Sequence, residues 1–199
     1  MIAIAKHDTP PMTAEQFLSS PVDLGPGKHV LIDGVIYSMA PASPTHALIQ
    51  AELARLIGNH LRERNVPCRV MTEAGMQPRV RAKTNVRIPD LTITCGPPPG
   101  PKDRLVEAPL IIIEVLSPSN SDMTEASIQA CASIPSVMEM LIVDSTRVFA
   151  EHWHREASGA WPREPETITA GGKVMLASIS LELGLADIYA DTHLSVTPE

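Results

Sequence analysis

The run Pro109-Leu110-Ile111-Ile112-Ile113-Glu114-Val115-Leu116 constrains this chain more than any other stretch. Its length and its β-branched, almost unbroken apolar character predict a strand covered on both faces, as at the centre of a sheet. Glu114 breaks the run. Burying an ionised carboxylate without a partner costs several kcal/mol, so this acid must pair with a base, keep its proton or bind a cation. An ion pair, or a place at the open end of the strand, is the structural explanation. Metal binding competes with it, because Asp90 heads the preceding strand-like segment Asp90-Leu91-Thr92-Ile93-Thr94-Cys95, and strands adjacent in sequence often pair. Two carboxylates at neighbouring strand ends make an oxygen site suited to magnesium (Mg) or manganese (Mn). Such an ion activates water against a phosphodiester.

Around this strand the pattern alternates between helix and strand. Thr13-Ala14-Glu15-Gln16 has the spacing of a capping box and predicts a short helix over 13–20. His29 to Ala40 reads as two extended pieces about Asp33-Gly34, a hairpin signal. From Ser43 to about Arg64 the residues His46, Ile49, Leu53, Leu56 and His60 recur at helical spacing, with His46 heading the inward stripe. Extended runs follow at 68–74, at 78–83, where Arg79, Arg81 and Lys83 would share one face, and at 89–95. Residues 121–133 are amphipathic, 140–145 and 148–156 resemble paired strands, weaker strands fall within 164–179, and 184–190 is a final short helix. A single α/β domain with a mixed sheet fits this order.

Composition narrows the function classes. No apolar stretch approaches the ~18 residues of a membrane span, and the opening MIAIAKHDTPP is too short in apolar character for a secretory signal; a cytoplasmic protein is expected. Cys68, Cys95 and Cys131 are far apart and odd in number, which argues against a disulfide framework or a cysteine zinc site and makes them buried hydrophobes. The net charge of −7 disfavours general nucleic-acid binding, yet residues 55–87 hold eight of the sixteen Lys and Arg against only Glu63 and Glu73. That stretch is either a chance cluster or a positive face bordering Asp90. His152 and His154 could share a strand face and hold zinc, but no third ligand stands nearby, and an exposed polar face explains them. Gly25-Pro26-Gly27-Lys28 lacks the full phosphate-loop pattern.

Several motifs together carry a resemblance: Ile88-Pro89-Asp90, Glu114-Val115-Leu116-Ser117-Pro118-Ser119, Ile134-Pro135-Ser136-Val137 followed by Leu141-Ile142-Val143-Asp144, MTAEQFL at 12–18, LIDG at 31–34, the turn from Ala40-Pro41 to His46, and GLADIYA near 184–190. In this order they resemble the Uma-two restriction endonuclease family of the PD-(D/E)xK nuclease superfamily, over about nine-tenths of the chain. The resemblance implies a restriction-endonuclease-like core, a mixed β-sheet flanked by helices with additional antiparallel strands. It implies one domain over 1–199, with its core at about 28–145 and C-terminal strands and a short helix at 146–190. By position, Asp90 and Glu114 would be catalytic metal ligands, the Val115 carbonyl a third ligand, and His46, near the pocket, a further catalytic residue. DNA would be the substrate, Mg or Mn the cofactor, and Arg79, Arg81, Lys83 and Arg87 its phosphate contacts.

Two positions depart from the family pattern. The superfamily lysine would stand two residues after the glutamate, where this chain has Leu116, or in the following helix, where it has Ser127. A glutamate usually precedes Leu-Ile-Asp-Gly, where this chain has Val30. A missing lysine removes a cation that would position the attacking water and stabilise developing charge. Another base such as Lys83 or Arg87 could reach in, a metal-only mechanism could operate, or catalysis could have decayed while binding persisted. A Mg-dependent endonuclease, a non-catalytic nucleic-acid-binding or assembly protein on the same scaffold, and a structural homodimer are therefore the readings to separate.

Overall fold

Leu110 to Val115 becomes the hub of a six-stranded sheet because its side chains alternate between two apolar layers. The computed structural model describes residues 2–3, 11–19, 24, 27–118 and 121–195, with the backbone alone at 2–3 and 121–125. In chain order the elements are β1 (Ile2–Ala3), α1 (Ala14–Ser19), β2 (His29–Ile32), β3 (Val35–Ser38), α2 (Pro44–Glu63), β4 (Cys68–Thr72), β5 (Leu91–Cys95), β6 (Pro109–Leu116) and α3 (Ser121–Ala132). They continue with β7 (Glu139–Asp144), β8 (Phe149–His154), β9 (Glu166–Thr169), β10 (Lys173–Leu176), β11 (Leu181–Gly184) and α4 (Leu185–Ile188). The main sheet runs β4-β5-β6-β7-β8-β9, antiparallel throughout except that β6 and β7 are parallel and joined through α3. A parallel pair needs such a crossover, and the helix it supplies covers one face.

On one face Ile111, Ile113 and Val115 meet Ile49, Leu53, Ile57 and Leu61 of α2, together with Val174, Leu176, Leu185, Ile188 and Tyr189 from the C-terminal elements. On the other, Ile112 and Met140 meet Cys131, Ile134 and Val137 beside α3, and Met76. Each of these buried aliphatic side chains contributes about 1.5–3 kcal/mol. The inward stripe of α2 uses Ile57 and Leu61 where the sequence spacing suggests Leu56 and His60, which are half-buried. A four-residue step keeps the larger aliphatics on the sheet, while the His60 ring lies at the margin, 2.9 Å from the Ile179 carbonyl.

The capping box forms as its spacing predicts: Thr13 N–H donates to Gln16 Oε1 at 2.8 Å and Gln16 N–H donates to Thr13 Oγ1 at 3.1 Å. β2 and β3 form the hairpin, with Asp33 (φ 50°) and Gly34 (φ 81°) both left-handed at its turn. Gly34 has a second reason to lack a side chain, since a Cβ there would collide with Pro11.

Three expectations are corrected. Residues 78–83 are not a strand. Met76 bridges to Arg87 and Val86 to Leu31, so the chain between closes as a loop with a 3-10 turn at 82–84 and Arg81 left-handed at φ 50°. The Arg79 and Val80 N–H groups donate to Ser133 Oγ rather than to a strand, and Arg79, Arg81 and Lys83 share no strand face. Cys68 and Cys95 are not separate buried thiols. They oppose each other in the β4–β5 ladder and form a disulfide, and only Cys131 is free and buried. His152 does not lie on an exposed face. It is buried, with Nε2 2.8 Å from the buried carboxylate of Glu139, which also accepts the N–H groups of Ala177 and Ser178.

At the C-terminal end α4 carries Tyr189 into the core. Its hydroxyl lies 2.5 Å from the Asp144 carbonyl and 3.0 Å from those of Arg147 and Phe149, pinning the turn between β7 and β8.

Candidate active site

The β5–β6 ladder ends at Leu91 opposite Ile113, and one further step along it sets Asp90 opposite Glu114. The sheet thus brings together the two acids that the sequence singles out. Asp90 N–H points to Glu114 Oε2 at 3.4 Å, and Val115 N–H donates to Asp90 Oδ2 at 2.8 Å. The Asp90 carbonyl accepts from Glu73 N–H (3.1 Å) and from Gln50 Nε2 (3.0 Å). Asp90 is therefore fixed by the strand it faces, by α2 and by the end of β4.

The acids open into a cavity of about 640 Å³ between the β2–β3 hairpin and the open end of β6, lined also by Val30, Met39, Leu116 and Ser127. Both positions where the family pattern places its missing groups, Val30 and Ser127, thus face the cavity. His46, at the first turn of α2, lines it and does more than the sequence suggests. Its Nε2 lies 3.3 Å from Asp90 Oδ2 and its Nδ1 lies 3.0 Å from Ser117 Oγ. Ser43 caps the helix by accepting the His46 N–H at 3.2 Å, which places the ring.

Sequence reasoning missed Lys28. It stands just before β2, where its carbonyl accepts the Met39 N–H, and its Nζ lies 2.8 Å from Asp90 Oδ1 with the side chain 17% exposed. Lys28 is two residues before Val30, and both line the cavity. Of the cations considered for the lysine gap, Lys83 is exposed and outside the cavity lining, whereas Arg87 lines it and is buried. Arg87 Nε and His29 Nε2 are both buried without a hydrogen-bond partner among the described residues. Arg87 is thus part of the pocket rather than of a surface patch with Arg79, Arg81 and Lys83.

The electrostatics divide the two carboxyls. Burial, reinforced by the charge of Asp90 and only partly offset by Lys28, pushes the Glu114 pKa up to about 8. Burial acts on Asp90 in the same sense, but the hydrogen bond with His46 and the Lys28 ammonium outweigh it and hold Asp90 down to about 2. Burial alone would lower Lys28; the Glu114 and Asp90 carboxylates reverse this and raise it. Burial lowers Arg87 and, with Glu114 nearby, pushes the Cys131 thiol up to about 12.

A carboxyl held protonated because its charge has too little compensation is one that a cation would relieve. Among the described residues no three His, Cys, Asp or Glu side chains are grouped to hold a metal. Two carboxylates with a backbone carbonyl and several waters fit the habits of Mg, which is commonly held by one or two carboxylates plus substrate phosphates.

A six-stranded mixed sheet with flanking helices is a nuclease-like fold, and in this chain Asp90 and Glu114 meet at one end of it. The chain belongs to the Uma2 family, described as "Putative restriction endonuclease", whose profile matches residues 14–191. It is similar to "Uncharacterized protein slr1290" of Synechocystis sp., at 28% identity over 163 residues, covering 81% of this chain and 83% of that protein. Its fold matches the crystal structure described as "a putative nuclease belonging to DUF820" from Anabaena variabilis, with a TM-score of 0.72 at 18% identity over 90% of this chain and 98% of the other. No described helix is long and apolar enough to cross a membrane.

Proposed function

We propose that this chain is a divalent-metal-dependent DNA endonuclease of the PD-(D/E)xK type, acting in the cytoplasm. The observation that carries the reading is the juxtaposition of Asp90 and Glu114 at one end of the sheet, with Glu114 lacking enough positive charge to ionise readily. Asp90 and Glu114 would hold Mg or Mn. A strand residue's N–H and C=O point to the same side, so the Val115 carbonyl turns toward Asp90 as its N–H does, which supports it as a third ligand. The ion's contribution there is to lower the pKa of a water and to neutralise charge on a phosphodiester. His46 keeps Asp90 oriented and ionised. Arg79, Arg81 and Lys83, on the 77–84 loop, would contact DNA phosphates, while Arg87 stays with the cavity.

Purified protein with Mg or Mn should nick or cut plasmid DNA, and Asp90→Ala or Glu114→Ala should each lower the rate at least about 10²-fold. Equal activity in both variants and the unaltered chain would reject the assignment. A non-catalytic DNA-binding protein is the second reading. It is favoured by one observation: Lys28, His46 and the Val115 N–H already satisfy the Asp90 carboxylate without a metal. Salt-sensitive DNA binding with no cleavage under either ion would establish it.

A further inference from the structure

The cavity lacks a lysine at both positions where the family pattern expects one, yet it contains a lysine. From the direct contact of Lys28 with Asp90, and from the placement of Ser127 across the same cavity, we infer that Lys28 is the catalytic cation of this site, reaching the reacting phosphate from the β2 end of the hairpin. This inference rests on the nuclease reading above.

Three observations support it. Lys28 is the lysine among the cavity-lining residues, and its ammonium is anchored at 2.8 Å to one of the two acids that would hold the metal. Its backbone is tied to the hairpin, since the Met39 N–H donates to the Lys28 carbonyl at 2.9 Å, so the side chain starts from a fixed backbone position. Arg87, the other cation in the cavity, makes no ion pair with Asp90, whose partners are Lys28 and His46. An ammonium beside a metal-binding carboxylate can move by one rotamer from that oxygen to a phosphate oxygen bound in the same cavity. There it would offset the negative charge that builds up when water attacks phosphorus. The proton of the attacking water is not assigned to Lys28, which serves as a charge and a hydrogen-bond donor.

The chemistry demands a cation at a place, not at a sequence position. Leu116 and Ser127 are the positions that other sequences of this pattern use, and both border the same space as Lys28. A lysine relocated to 127 should therefore take over.

The test uses the full chain and four proteins: unaltered, Lys28→Met, Lys28→Arg, and Lys28→Met combined with Ser127→Lys. Plasmid cleavage is followed with Mn, and Mn binding without DNA is measured by calorimetry. Lys28→Met should lose about 10²–10³-fold in turnover while binding Mn as tightly as before or more tightly, because a positive neighbour of the ion is gone. Lys28→Arg should keep more turnover than Lys28→Met, and the double variant should regain at least about tenfold of what was lost. Lys28→Met cleaving at the unaltered rate overturns the inference and leaves the nuclease reading intact. Lys28→Met losing Mn binding together with cleavage also overturns it, because Lys28 would then act only by shaping Asp90. Equal loss with and without the relocated lysine overturns it as well. No turnover by the unaltered chain under Mg or Mn retires the nuclease reading, and the role of Lys28 with it.

Discussion

Replacing Glu114 by glutamine tests whether this acid is protonated when no metal is bound. The folded chain holds a proton on Glu114 up to a pKa of about 8, whereas the unfolded chain releases it near 4.5. Between those values the folded state binds more protons than the unfolded state, so stability falls as pH rises. The contribution is fully present below 4.5 and is lost through about 8. Asp90 adds no slope in that window, because its pKa is lowered to about 2 from 3.8 and its stabilising contribution is lost only in more acid solution. At about 1.36 kcal/mol per unit, a shift from 4.5 to about 8 amounts to about 5 kcal/mol. Water entering the open cavity once the acid ionises lowers this figure, which is therefore an upper bound. The glutamine side chain keeps an oxygen to accept the Asp90 N–H and carries no charge. In EDTA, urea unfolding at pH 5 should find Glu114→Gln within about 1 kcal/mol of the unaltered chain, and at pH 9 more stable, by at most about 5 kcal/mol. Tm should rise with it. Parallel pH profiles for the two proteins would refute the reasoning, since Glu114 would then already be ionised. Mg at about a hundred times its Kd should add about 2.7 kcal/mol to the unaltered chain and much less to Glu114→Gln.

Cys68→Ser with Cys95→Ser should lower stability by about 2–4 kcal/mol under non-reducing conditions, from the loop that a bridge of sequence separation 27 closes; a denaturation midpoint equal to that of the oxidised chain would show that the bridge contributes nothing. Replacing Arg79, Arg81 and Lys83 together by serine should weaken DNA binding, measured with Ca in place of Mg, and flatten its salt dependence by about one unit for each phosphate that is no longer neutralised. An unchanged salt slope would show that this loop does not bind DNA phosphates.

What can be read from the sequence follows from where each residue's partners lie. The hairpin about Asp33-Gly34, the capped helix after Ser43 and the central strand around Ile112 depend on local spacing, and all three form. Asp90 and Glu114 are also legible, because an acid in an apolar strand is anomalous without any partner in view. The failures involve distant partners. Residues 78–83 alternate like a strand, but Met76 and Val86 hand them to Arg87 and Leu31 as a loop. Cys68 and Cys95 lie in different strands, and nothing short of the β4–β5 register reveals that they meet. His152 looks exposed in the sequence because Glu139, its buried partner, lies on the neighbouring strand. Lys28 falls in a Gly-Pro-Gly-Lys stretch that reads only as an incomplete phosphate loop.

The Tyr189 hydroxyl has a consequence for the order in which the chain completes itself. The carbonyls of Asp144, Arg147 and Phe149 all lie within hydrogen-bond reach of one hydroxyl, which belongs to a residue some forty positions further along. The apolar layer over Ile111, Ile113 and Leu141 likewise includes Val174, Leu176 and Ile188. During synthesis the segments that carry Asp90 and Glu114 leave the ribosome first, and α2 covers part of the apolar layer behind them, but that layer is incomplete until residue 189 follows. A chain interrupted between 150 and 185 would hold every acid of the site and still present a partly uncovered apolar sheet to chaperones and proteases.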